Sequence, residues 1–391
     1  MLVSGNHFGF QLLPFFALTF GLLSLQAQDR SIRLTFAGDL MAHVPNFTIE
    51  PFDAIYENIR YIIQSDDLSF VNLEFPIDDS VAYSSYPLFN VHSEYPLAAI
   101  KAGFDVFSLA NNHAADRGGK GVPKTQAAMN VLQAKVLNEW NRSINFNGLR
   151  PSADSPPYVL TIIEKAGLRI GFVAVAEWVN IPSLRNWVQY ADFRETPSPE
   201  NFLKWLQMVR PSVDLLVLSY HWGEEYQNRQ NEARAGFSRR LVDAGVDIIW
   251  GNHPHVLQPW YILESQRGQA LVLPSCGNFI SGQTWFLGPG DALRDDAPKG
   301  DSMLFGLTVS INAQGKIGFA ALDPVLIAAW KTARGQMVVR TMADLARNTD
   351  GPWRKYFRTR LGAMTKLIPQ SIEPSALLGL PEPVSDRNIP D

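Results

Sequence analysis

Seven residues stand out by type and position as able to do chemistry together: Asp39, Glu74, Asn112, His113, His221, His253 and His255. Each ends or follows a short apolar run of the kind that forms a buried strand. Arg33–Phe36 leads into Gly38-Asp39, Leu68–Val71 into Asn72-Leu73-Glu74, and Asp105–Ala110 into Asn111-Asn112-His113. Asp214–Tyr220 leads into His221-Trp222-Gly223, and Val246–Trp250 into Gly251-Asn252-His253-Pro254-His255. Four of the chain's seven histidines sit at these ends. Imidazole nitrogen combined with carboxylate oxygen suits borderline dications such as Zn, Mn or Fe, and a His-x-His pair offers two nitrogens from one short segment. Taken singly, each has a plainer reading: His221 as a hydrogen-bonded core histidine, Asp39 and Asn112 as turn residues, Glu74 as a solvated loop carboxylate. Their coincidence at five strand ends points to one shared polar site holding one or two divalent metal ions. His43 and His92 have no such setting and are expected in surface or packing roles.

The elements that must bring these residues together follow α/β grammar, with apolar runs alternating with helical patterns. Helices are expected over Pro51–Gln64, Pro96–Ala102, Val122–Leu137, Glu200–Val209 and Glu232–Ala244. In an open α/β sheet the carboxyl ends of the strands face a common crevice, so residues remote in sequence meet there. Tyr158–Ala176 reads as two strands around Lys165-Ala166-Gly167, and Met303–Leu326 as a hairpin turning at Asn312–Gly315, so mixed strands are expected beside the parallel ones. Gly288–Gly300 reads as a long loop and Ser371–Asp391 as a Pro-rich tail.

Composition narrows the partners. The 391 residues are 46% hydrophobic and 18% charged, which is ample for a packed core and excludes a disordered chain. A net charge of -4 without a long Lys/Arg run argues against nucleic acid as a partner. The one cysteine, Cys276, excludes an internal disulfide and a cysteine-based zinc cluster. Phe8–Leu25 is an uncharged apolar run followed by Gln26-Ala27-Gln28, which reads as a signal peptide over residues 1–27 cleaved after Ala27 or, uncleaved, as an anchor. Either way the body, a domain over residues 30–330 with an extension over 331–391, is expected to be exported, to a periplasm or cell surface.

Six segments resemble one known family: GDLM at Gly38–Met41, VNLEFP at Val71–Pro76, GFDVFSLANNHAADRG at Gly103–Gly118, SYHWGEEY at Ser219–Tyr226, GVDIIWGNHPHVLQP at Gly245–Pro259 and CGNFI at Cys276–Ile280. Together they are similar to the capsule-synthesis CapA family, which is associated with poly-γ-glutamate and related to calcineurin-like metallophosphatases. The resemblance implies a four-layer αββα sandwich. It also implies metal-ligand positions at Asp39, Glu74, Asn112, His221, His253 and His255, with His113 as the histidine that assists chemistry.

The D-x-H of the first metallophosphatase strand is here Asp39-Leu40-Met41, and a thioether is a poor ligand for such dications. The second strand offers Asn-Leu-Glu instead of Gly-Asp, so amide cleavage or transfer is favoured over phosphoester hydrolysis. In a catalytic site His113 is the general acid, with Asp116 either orienting its ring or capping the following helix. Glu224 and Glu225 read as neighbours of the ligands or as solvated loop charges. Arg117, Lys120, Arg229 and Arg234 read as contacts for an anionic polymer or as ordinary surface charge. Two classes stay open: a metal-dependent hydrolase or transferase acting on an anionic polymer such as poly-γ-glutamate, and a non-catalytic accessory binding the polymer or a membrane synthase partner.

Overall fold

Aspartates placed directly before strand-forming runs organise one end of this molecule. The computed structural model describes Met1 and residues 29–48 and 50–368; the expected leader and the Pro-rich tail lie outside the described residues. The strands are β1 (Arg30–Leu40), β2 (Leu68–Leu73), β3 (Val106–Ser108), β4 (Asn145–Asn147), β5 (Thr161–Lys165), β6 (Leu168–Ala176), β7 (Leu215–His221), β8 (Ile248–Asn252), β9 (Tyr261–Ser265), β10 (Gly268–Leu273), β11 (Asn278–Ile280), β12 (Asp301–Ile311), β13 (Ile317–Lys331) and β14 (Met337–Thr341). The helices are α1 (Val44–Phe47), α2 (Arg60–Ile63), α3 (Glu94–Ala102), α4 (Gly118–Trp140), α5 (Ser198–Val209), α6 (Glu232–Asp243), α7 (Met342–Asn348) and α8 (Gly351–Met364).

Asp67, Asp105, Asp214 and Asp247 immediately precede β2, β3, β7 and β8. Each does the same thing. Its backbone N–H donates to the carbonyl of a residue on the neighbouring strand, respectively Arg33, Ser69, Arg169 and Leu216. Its carboxylate accepts from that same residue's N–H, at 2.9, 3.1, 2.8 and 2.8 Å. This reciprocal pair fixes the register of four parallel strand pairs where each strand starts.

The hydrogen-bonded order is β4-β3-β2-β1-β12-β13-β10-β8-β7-β6-β5, with β11 beside β1, β14 beside β13 and β9 beside β10. Parallel neighbours run from β1 to β4 and from β6 to β8 and β10, and antiparallel pairs join β1 to β12 and β12 to β13. The fold is therefore a mixed, sheet-rich α/β. The central strands β2, β7 and β8 are buried along their whole length, as their unbroken apolar runs require. β10 and β13 share the single pair Gly268 and Ile317, and this narrow junction divides the sheet into two halves. The halves face each other. Phe36 and Phe70 of β1 and β2 lie 5.9 and 6.0 Å from the Trp250 ring of β8, and Phe70 lies 5.8 Å from Phe172 of β6. The Trp250 indole N–H donates to the Ala37 carbonyl at 2.8 Å. Each such aromatic contributes about 1.5–3 kcal/mol by leaving water.

Both expected hairpins form, as β5–β6 and β12–β13. The helix expected over Pro51–Gln64 does not form as one piece. A 3-10 turn at Phe52–Ile55 and the short α2 replace it, with i to i+3 bonds from Tyr56 N–H to Asp53 O and from Ile59 N–H to Tyr56 O. The buried residues Phe52, Ile55, Tyr56 and Ile59 recur at i, i+3, i+4 and i+7, a helical spacing whose three-residue steps from Phe52 to Ile55 and from Tyr56 to Ile59 tighter winding also buries. Beyond the expected elements, β14, α7 and α8 continue the chain past β13, with Trp330 packing its ring against Trp353 and Phe357 of α8.

Candidate metal centre

Asp39 reaches the site because β1 runs four residues past Phe36, the last residue of the expected run. An alanine Cβ at Gly38 would fall 1.8 Å from the Gly277 carbonyl oxygen, so glycine alone lets β1 cross this close to the segment before β11. The Asp39 N–H donates to that oxygen at 3.0 Å. Its carboxylate then accepts from the Asn72 amide at 2.8 Å, from the His253 backbone N–H at 3.1 Å, and from His255 Nδ1 at 3.1 Å. A carboxylate only accepts, so Nδ1 of His255 carries the proton and Nε2 is free to face Glu74 Oε1, 3.6 Å away.

Glu74 lies one residue beyond β2, its N–H bound to the Leu40 carbonyl. Its Oε1 is buried without a hydrogen-bond partner. His221, the last residue of β7, places Nε2 2.9 Å from Asn112 Oδ1 and 3.8 Å from Glu74 Oε1. His253 is 1% exposed, and neither ring nitrogen has a partner. Among the described residues two fully buried donor groups emerge, Glu74 with His221 and His253, and Asp39 with Glu74 and His255, with the donor atoms of each within 4.8 Å of one another. Glu74 belongs to both. The site spans the sheet's two halves: carboxylates and Asn112 come from β1 to β3, imidazoles from β7 and β8.

Backbone strain accompanies this arrangement. His253 and His255 have φ of 100° and 58°, a region that costs a non-glycine residue about 1–3 kcal/mol. Surrounding bonds hold them: Trp222 N–H to Asn252 O, Tyr226 N–H to Pro254 O, and the Asn278 amide to His255 O. Burial, followed by repulsion from Asp39 and Glu225, pushes the Glu74 carboxyl well above the usual range. Burial and the neighbouring imidazoles hold His221 and His253 well below theirs. The histidines are thereby neutral, the form that binds metal. Orphaned nitrogens, an orphaned carboxylate oxygen and neutral imidazoles are what a divalent cation would satisfy, so the donor set fits such an ion.

His113 stands beside this cluster. Its Nδ1 bonds Asp116 Oδ2 at 2.7 Å, and the same oxygen accepts the Phe89 N–H at 2.9 Å. Asp116 therefore orients the ring. It does not cap α4, whose N-cap is Arg117 without a side-chain bond. Phe89 packs edge-on at 4.6 Å between centroids, and exposed Tyr86 lies at 6.4 Å.

The segment from 33 to 283 matches the model of the bacterial capsule synthesis protein PGA_cap. The chain belongs to that family. It is 28% identical over 275 residues to the capsule biosynthesis protein CapA of Bacillus anthracis, covering 66% of this chain and 62% of that one. It is 27% identical to the PGA biosynthesis protein CapA of Bacillus subtilis (strain 168), over 66% of this chain and 65% of that one. A probable polyglutamine synthesis accessory protein of Mycobacterium tuberculosis is 24% identical over 72% of this chain and 71% of its own. The chain thus spans somewhat under two thirds of the length of the two Bacillus relatives. Among solved structures, the Haemophilus influenzae NAD nucleotidase (NadN) has a TM-score of 0.44 at 13% identity, over 88% of this chain and 64% of that one. A hypothetical protein from Thermus thermophilus has 0.42 at 18%, over 75% and 98%. Both are distant likenesses.

All seven strand-end residues of this PGA_cap chain meet at one site, joined by residues that sequence reasoning passed over. Asn72 bridges Asp39 to the neighbourhood of Glu74 and His221, 3.5 Å from each. Asn180, in a loop with no readable motif, bonds Asn112 at 3.2 Å and places its amide 3.2 Å from His113 Nδ1. Glu177, fully buried after β6, accepts from the Gly223 N–H and pairs with Arg234. Arg234 is accordingly buried and is no surface contact for a polymer, while Arg117 is occupied by the Phe89 and Leu88 carbonyls. Lys120 and Arg229 are exposed. His92 does pack at the surface, over Tyr83 at 4.3 Å. His43 packs on Phe89 at 5.2 Å, but lies close enough to the site to feel His255 and His113.

Proposed function

We propose that this chain serves capsule or poly-glutamate biosynthesis as a metal-dependent hydrolase or transferase acting on an anionic polymer such as poly-γ-glutamate. The observation that carries the reading is His253, buried with both ring nitrogens unpartnered beside the unpartnered Glu74 Oε1. Asp39, Glu74, Asn112, His221, His253 and His255 would hold one or two ions of the Mn, Zn or Fe type, and a four-layer αββα arrangement of the two half-sheets and their helices would frame them. Such an ion supplies Lewis acidity, polarising the carbonyl or phosphoryl oxygen under attack. His113, its Nδ1 held by Asp116, presents Nε2 as the proton donor to the leaving group. Asn180, whose side-chain oxygen accepts from the Asn112 amide, lies beside that ring. Glu177 and Arg234 fix the segment after His221 by anchoring Gly223.

The names of the Bacillus and Mycobacterium relatives support a role in capsule or polymer synthesis; export rests on the apolar leader. No helix among the described residues is long and apolar enough to cross a membrane. The test is elemental analysis of the purified protein together with turnover on poly-γ-glutamate of defined length. Bound Mn, Zn or Fe with shortening or transfer of the polymer supports the reading. Metal-free protein that binds the polymer without changing it would make the accessory reading the better one.

A further inference from the structure

Three acidic side chains converge on the paired histidines, and one of them comes from outside the buried set. Glu225 is exposed, yet its carboxylate lies with the ring nitrogens of His253 and His255 in a group whose donor atoms are within 4.8 Å of one another. Backbone bonds on either side hold it there. Gly223 N–H donates to Glu177 at 3.0 Å, Trp222 N–H to the Asn252 carbonyl at 3.0 Å, and Tyr226 N–H to the Pro254 carbonyl at 2.8 Å. The segment carrying Glu225 is therefore laced to the segment carrying both histidines. Its neighbour Glu224 turns elsewhere, pairing with Arg234 at 3.2 Å.

We infer that Glu225 is the solvent-side ligand of a divalent cation also bound by His253 and His255. The inference deepens the cation reading and rests on it. Glu225, His253 and His255 offer three protein donors, the number that catalytic sites for such ions commonly supply beside one open position. The Glu225 carboxylate is the hard oxygen donor that complements two imidazole nitrogens on such an ion. Among the described residues no Lys or Arg pairs with Asp39 or Glu74, so three carboxylates share one space without a protein cation to balance them. Glu225 also lies beside the Tyr226 hydroxyl, whose ionisation burial and then this carboxylate push upward. Because Glu225 is exposed while the other donors are buried, it is also the ligand a substrate carboxylate would most readily replace.

The test uses the full chain, stripped of metal and titrated with Mn2+ and separately with Zn2+, with stoichiometry read by elemental analysis and affinity by chelator competition. Glu225→Gln is expected to weaken one ion at least tenfold, with Glu225→Asp intermediate and Glu224→Gln unchanged. Circular dichroism and the metal-free Tm of Glu225→Gln should match the wild type, since the side chain is on the surface. Wild-type affinity and stoichiometry in Glu225→Gln would overturn the assignment of Glu225 and leave the buried site standing. A wild-type protein that takes up neither ion would overturn both.

Discussion

The two ends of the parallel strands use the same residue types in opposite ways. At the amino ends, Asp105, Asp214 and Asp247 are each paired with arginine: Arg142 at 2.8 Å, Arg30 and Arg169 at 3.5 Å, and Arg210 at 3.0 Å. At the carboxyl ends, Asp39 and Glu74 are at least as buried, but their neighbours are asparagine and histidine. A buried carboxylate that meets a guanidinium and a backbone N–H completes its own electrostatics. One that meets only neutral donors keeps a deficit of positive charge. The first arrangement sets strand register; the second leaves room for an external cation, and strained backbone at His253 and His255 marks the same end.

Breaking the carboxyl end should cost function first. His113→Gln is expected to fold and to retain metal while losing about 100- to 10,000-fold in turnover, read by rate assays alongside elemental analysis. Unchanged turnover would make His113 structural. Breaking the amino end should cost stability instead. Asp247→Ala strands Arg210 beside an emptied site, and urea unfolding should show a loss of about 3–5 kcal/mol with metal content unaffected. A metal-content change there would mean that the two ends are not separable.

Adding the ion sharpens the contrast. At a free concentration 100 times its Kd, a divalent ion should stabilise the wild type by about 2.7 kcal/mol, and the stabilisation should vanish in the double variant His253→Ala, His255→Ala. A separate effect concerns pH in the metal-free protein. Burial, then His255 and His113, hold His43 down to about 3, against 6.5 when unfolded. The unfolded chain therefore binds the proton more readily, so this stability is complete above about pH 6.5 and is lost as pH falls toward 3. His43→Phe should flatten unfolding free energy over that window; an unchanged slope would assign the dependence to other groups.

The strand-end chemistry was legible because buried parallel strands read as unbroken apolar runs, and polar residues stand out where such runs stop. Asn72 and Asn180 were not legible, since an asparagine that bridges ligands looks like any turn asparagine until its partners are known. The short strands β4 and β11 escaped for a related reason: three residues carry no period, and each exists because a neighbour offers a register, Phe107 for Phe146 and Asp39 for Asn278. Pro51–Gln64 misled in the other direction, its apolar spacing satisfying two kinds of winding. Glu225 looked like solvated charge because its exposure is real and only the lacing of its segment to Pro254 aims it inward.

The junction of the sheet at Gly268 and Ile317 also bears on how the molecule breathes. With one residue pair joining β10 to β13, the two halves can open as separate cooperative units, and their amides should exchange with solvent at different rates. An ion held by Asp39 and Glu74 on one side and by His221, His253 and His255 on the other would act as a clasp across that seam. With the clasp closed, the amides of β2 and β7 would share a common opening event, so the rhythm of one half would become the rhythm of both.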